Sequence, residues 1–296
     1  MSQAVKSARP LAGQGSGAAR SGTWSARRSG EFFQALHAEW TKLRTLPGTG
    51  WLLFAAAALT IAVGAAGAGA FTCSLAHGGC SPAATGADPA KISLTGVYLG
   101  QAVIAVLGVM VIGGEYGTGM IRVTLAAMPR RLTVLAAKAV IVTGCALAAG
   151  GAAVLGSVLA GRLILPGRDL TAANGYVLVS LGNGPDLRAA AGTVLYLALI
   201  ALLALGITTA VRDSAVGVGL VLGLLYLFPI VTAVLPDHTL ARHLDQASPM
   251  IAGLYIQATV GLQGLPLAPW QGLGVTAAWA AGALLLGALL LRLRDV

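Results

Sequence analysis

Six separate stretches of about twenty apolar residues, each free of Asp, Glu, Lys and Arg, run through this chain and constrain it more than any other feature. A helix rises 1.5 Å per residue, so twenty residues cross the roughly 30 Å hydrocarbon core of a bilayer. The stretches lie at 51–70, 96–114, 139–161, 189–211, 215–235 and 272–291. With 56% hydrophobic and 10% charged residues and a mean hydropathy of +0.81, the chain departs far from soluble composition. The predicted fold is an all-α integral membrane protein with six transmembrane helices.

The charges report topology. With an even number of spans both termini share one side, and a cytoplasmic N-terminus places fourteen of the nineteen basic residues inside. The inside segments then carry a net excess of nine positive charges and the outside segments none, as the positive-inside rule requires. Basic residues dispersed between spans in this way are not the clustered surface that nucleic acid needs. Residues 1–30, rich in Ala, Gly, Ser and Arg without a continuous apolar core, are expected to form a disordered cytoplasmic tail. The permease domain proper then covers 31–296.

A seventh uncharged segment, from Pro249 to about Trp270, contains Gln257, Gln263, Pro266, Pro269 and several glycines. Two readings fit it: an extracytoplasmic helix or re-entrant hairpin covered by protein, and an ordinary surface loop.

Two inside segments are built for contact. EFFQALHAEWTKLRTL at 31–46 places Phe32, Phe33, Leu36, Trp40, Leu43 and Leu46 on one helical arc, and Gln34, His37, Thr41 and Arg44 on the other side. This reads as an interfacial helix feeding span one. Glu39 projects into the apolar arc, either as an i,i+3 partner of Lys42 or as a contact with another protein. In EYGTGMIRVTLAAMPRR at 115–131, Glu115 ends span two, Gly117 and Gly119 allow a sharp turn, 120–128 can form a short helix, and Pro129 stops it. Flanked by Arg122, Arg130 and Arg131, that helix is either a plug for a partner protein or a connection whose basic residues fix topology.

The EWTKLRT run at 39–45, the EYGTGMIR and MPRR pieces of 115–131 and the order of six spans resemble permease subunits of type-2 ATP-binding-cassette (ABC) exporters, particularly the actinobacterial drug-export type. Gly117 and Met120 depart from the basic residue and the threonine that family members often carry there. The resemblance implies that 31–46 is a connecting helix, with Glu39, Trp40, Lys42 and Arg44 on it. It also implies a coupling helix between spans two and three, through which Glu115, Tyr116, Gly119, Met120, Arg122, Pro129, Arg130 and Arg131 contact an ATPase subunit. A second permease subunit, homologous or identical, and a bacterial cytoplasmic membrane are further implied. ATP and Mg would be held by the ATPase partner and no cofactor by this chain.

Enzymatic signatures are missing. None of Lys6, Lys42, Lys91 and Lys138 sits in a phosphate-binding loop, and neither H-E-x-x-H nor G-x-S-x-G occurs. No span carries a mid-membrane ionisable residue of the kind a proton-coupled carrier uses. Glu115 and Lys138 are expected at span ends, where they can snorkel or reach water. These absences weaken the enzyme and secondary-transporter readings, and the function that the resemblance implies is a transport subunit of an ATP-driven exporter, with a non-transporting scaffold or sensor, or an ATP-independent carrier, as the alternatives. Dispersed polar groups (Gln101, Thr143, Thr193, Thr208, Thr276, with Ser180 in a loop) suggest a hydrophobic or amphipathic substrate.

Cys73, His77 and Cys80 share the first outer loop. A Cys73–Cys80 disulfide, free thiols and a metal site all fit that spacing, the metal least well. Cys145 reads as packing. Gly64 and Gly67, or Gly150, Gly151 and Gly156, would let helices approach closely, and Pro229 should kink span five.

Overall fold

The computed structural model describes residues 20–45, 47–71, 86–127, 131–168 and 170–293. Among these there is no strand, and six helices are long and apolar enough to cross a membrane. The chain is a multi-pass membrane protein by that measure. Helix α1 (Arg20–Thr45) leads into α2 (Pro47–Ala70), and α3 (Pro89–Ser93) precedes α4 (Val97–Gly117). The short α5 (Met120–Ala127) joins α4 to α6 (Arg131–Ile164). Then come α7 (Gly184–Val211), α8 (Ser214–Val234), α9 (His238–Ala247), α10 (Pro249–Leu254) and α11 (Pro269–Leu293). The spanning helices are α2, α4, α6, α7, α8 and α11, at the six positions the hydropathy marks. Helix α1 takes in residues 20–30 of the expected tail.

Helix α7 is the axis of the bundle. Two thirds of its apolar window is buried, at 67%, against 17–22% for α2, α8 and α11, which stand at the rim. It is enclosed by α4, α6, α8 and α11, while α2 packs on α4 and α6. Small residues permit the contact: a Cβ on Gly108 would stand 2.5 Å from the Ala201 carbonyl oxygen, and one on Gly206 would stand 2.6 Å from backbone atoms of Ala283 and Leu284. Where lipid gives helices no hydrophobic reason to associate, close backbone approach supplies the packing energy. Four of the five flagged glycines sit in tight contacts, Gly64 on Ser93, Gly67 on Thr95, Gly156 on Ile61 and Gly150 on Leu197, whereas Gly151 faces open space. Pro229 lies within α8, which continues through it.

The 249–270 segment divides: 249–258 is largely buried, whereas 260–264 is an exposed loop. Ser248 caps α10 by accepting from the Ile251 amide, a 3₁₀ turn follows over Tyr255–Gln257, and Pro249, Met250, Ala252, Gly253, Leu254, Ile256 and Gln257 are all buried. Irregular backbone at such a place is tolerated because protein covers it. Thr276 donates to the Pro249 carbonyl at 2.8 Å, Trp279 Nε1 to the Ala247 carbonyl at 2.9 Å, and Gln101 Nε2 approaches Met250 Sδ at 3.1 Å. Tyr196 in turn donates to Gln101 Oε1. The wedge is thus bonded to α4 and α11 and packed on α7.

At the same end, Asp88 closes a clasp. Its carboxylate accepts from the amides of Ala90 and Lys91, capping α3, and from the amide and hydroxyl of Thr259 and the Val260 amide. Arg188 donates to the neighbouring Ala258 carbonyl.

Candidate functional site

At the opposite end four charged side chains meet. The inward face of α1 carries Ala35 and Glu39, both buried, so Glu39 enters the bundle where its position in the apolar arc directs it. Lys138 Nζ lies 2.7 Å from Glu39 Oε2 and 2.8 Å from Glu115 Oε1. Lys42 Nζ lies 2.9 Å from Glu39 Oε1 and 2.8 Å from the same Glu115 oxygen. The two carboxylates and two ammonium groups are neutral as a set and tie α1, the end of α4 and the start of α6 together.

The expectation that Glu115 and Lys138 reach water is overturned. Lys138 is 0% exposed and also donates to the Val111 carbonyl, and Glu115 is 7% exposed. Helix α6 begins two turns before the apolar stretch, which carries Lys138 inside the bundle, and a buried ammonium is tolerable only with opposite charges around it. Burial would lower the Lys42 pKa, but hydrogen bonds to Glu115 and Glu39 outweigh it and hold the group above its ordinary value. Glu115 uses only one oxygen, since Oε2 is buried without a partner, as is the Tyr116 hydroxyl.

The α4–α5 connection turns at Gly119, whose φ of +71° lies in the left-handed region that favours glycine. Helix α5 buries Ile121 and leaves Met120, Arg122 and Val123 exposed, at 47% for Met120 and 71% for Val123. Pro129 and Arg130 lie outside the described residues. Arg131 turns away from α5 and donates to the Leu291 carbonyl at 2.9 Å, while Arg212 donates to the Leu290 carbonyl at 3.2 Å. Two cations thus satisfy the last carbonyls of α11. Trp40 and Arg44 are exposed on α1.

Four of the polar groups expected to mark a pathway are inside the single-chain bundle, while Thr143 and Ser180 are partly exposed. Gln101, Thr193, Thr208 and Thr276 are fully buried. Thr193 and Thr208 return their hydroxyls to the carbonyls of Ala189 and Ala204, and the other two hold the wedge. Cys73, His77 and Cys80 lie outside the described residues, among which no group of three metal-ligating side chains occurs. The Lys138 contacts with Glu39 and Glu115 escape sequence reading because they join helices 99 and 23 positions apart. The available signal was the placement of Glu39 among apolar neighbours.

No family model matches the chain, and no curated protein matches it.

Proposed function

We propose that the chain is the membrane-spanning permease subunit of an ATP-driven exporter of the ABC kind, working as a pair of such subunits with separate ATPases. The observation that carries this reading is the neutral cluster of Glu39, Lys42, Glu115 and Lys138, which makes α1 and the two helix ends flanking α5 a single mechanical unit. A push on α5 is then delivered to α4, α6 and α1 together. The exposed apolar pair Met120 and Val123 gives α5 a face for a partner to grip. Discrete shifts of packed helices are the means by which such a push becomes a change of access.

Nucleotide and Mg belong to the ATPase, and closure of two ATPases would move the two α5 helices. Because α7 is the most buried span and four of the polar span residues are buried inside the bundle, the pathway in this reading lies between two permease subunits. Its substrate would be hydrophobic or amphipathic. In this reading the membrane is a bacterial cytoplasmic one, and the charge asymmetry supports a cytoplasmic side for the termini, α1 and α5. Reporter fusions at residue 296 and within 72–94 should report opposite sides.

The decisive test is purification in mild detergent with identification of the co-purifying protein, which should carry Walker A and Walker B motifs. Met120→Asp tests the grip, because Met120 is exposed in the free chain and the aspartate becomes a cost only when a partner buries it. The variant should insert normally, lose most of the associated ATPase and abolish substrate-stimulated hydrolysis. Parental association and transport would overturn the assignment.

A further inference from the structure

We propose that the groove between α1 and α6 binds one anionic phospholipid, an acyl chain lying along Phe33, Trp40, Val140 and Gly144 and its phosphate meeting Arg44. The groove has a volume of about 610 Å³, within the range of small-molecule sites, and its remaining lining is Leu36, His37, Ile141 and Cys145. The proposal rests on the six spans alone and holds whether or not an ATPase is the partner.

The occupant follows from how α1 divides its apolar arc. One part, with Ala35, faces the bundle; the other, with Phe33 at 65% and Trp40 at 53% exposure, does not. No described residue covers these aromatics, yet they border a wall of Val140, Ile141 and Gly144 on a spanning helix, and so face hydrocarbon. Gly144 keeps the wall recessed, for a Cβ there would find no atom within 4 Å.

Charge selects the headgroup. Arg44 is four residues beyond Trp40 and therefore about 40° from it around α1; it lies at the polar edge of the apolar arc, on the same edge as His37, which lines the groove. It is exposed and makes no ion pair with a described residue. Four residues later the first spanning helix begins at Gly48, so the guanidinium stands at the hydrocarbon boundary, where a phosphate would be. The other charges nearby cancel, since Glu39, Lys42, Glu115 and Lys138 are neutral together. Among the described side chains, Arg44 then sets the sign at the groove's mouth, and a planar guanidinium pairs well with phosphate.

The experiment uses the full chain with Trp24, Trp51, Trp270 and Trp279 changed to Phe, leaving Trp40 as reporter. It is reconstituted in phosphatidylcholine vesicles containing brominated phosphatidylglycerol or, separately, brominated phosphatidylcholine. Phosphatidylglycerol should quench Trp40 half-maximally at about a five-fold lower mole fraction, the preference one surface cation confers. Arg44→Gln, a change at an exposed position, should equalise the two lipids. Gly144→Leu should fill the groove and remove the preference while Trp40 stays open to bulk lipid. Equal quenching in the parental protein, meaning ordinary annular lipid, overturns the proposal. So does a Trp40 shielded from both lipids, meaning that a second copy covers the groove, or a preference that survives Gly144→Leu.

Discussion

Lys138 and Glu39, 99 positions apart, meet at 2.7 Å with the lysine wholly removed from solvent. This contact ties α1 to the start of α6, because breaking it would leave buried charges short of a partner inside an apolar bundle. Lys138→Met should leave Glu39 and Glu115 facing Lys42 alone and destabilise the protein by about 3–5 kcal/mol, the cost of breaking a buried pair from one side. Thermal unfolding in detergent measures it. Adding Glu39→Gln to that variant should cost less than the two single changes combined, and strict additivity would show the pair to be uncoupled.

The pH response of the cluster follows from Lys42. Its folded pKa is raised, so the stability it contributes is complete below its ordinary value of 10.5 and is lost only as pH climbs through the higher folded value. Unfolding followed from neutrality to pH 10.5 should show no loss attributable to Lys42, and a Lys42→Gln variant should differ from the parent by a constant amount over that range.

The span arrangement was legible in the sequence because hydrophobic length reports directly on the bilayer. The α5 helix and its glycine turn were legible too, since Gly119 and the apolar run after it are local signals. The charge cluster was not: Lys138 lies just before an apolar stretch, and only the early start of α6 draws it inside. The wedge at 249–257 combined prolines, glycines and glutamines, which local pattern alone reads equally as loop or buried turn. Its burial depends on Gln101, Tyr196 and Thr276, brought in from three distant helices.

Asp88 offers a test at the other end. Asp88→Ala removes the α3 cap, a loss of about 0.5–2 kcal/mol, and frees the Thr259 and Val260 amides. Hydrogen exchange should speed up at those two amides while the α7 core stays protected. Unchanged exchange there would mean that Arg188 alone holds the 258–260 loop.

Close packing makes a graded prediction on glycines. Gly206→Leu must push a side chain into the α11 backbone and should cost about 1–3 kcal/mol or prevent folding. Gly151→Leu meets open space and should be neutral or mildly stabilising, because glycine is the poorer helix former. Equal melting temperatures for both variants would contradict the α7–α11 contact.

The neutral cluster also has a consequence for how the chain enters a bilayer during synthesis. Glu115 and Lys138 are made 23 residues apart, on consecutive spans, and a lone lysine costs up to roughly 2.5–3.5 kcal/mol to insert, the value at a span's centre. Partitioned one at a time, α4 and α6 would each carry an uncompensated charge into lipid; released together as a helical hairpin, they arrive with the carboxylate already opposite the ammonium. Glu39, translated earlier still, completes the neutralisation when α1 docks, so the charge balance of these two spans is a property of the assembled hairpin and α1 and of neither span by itself.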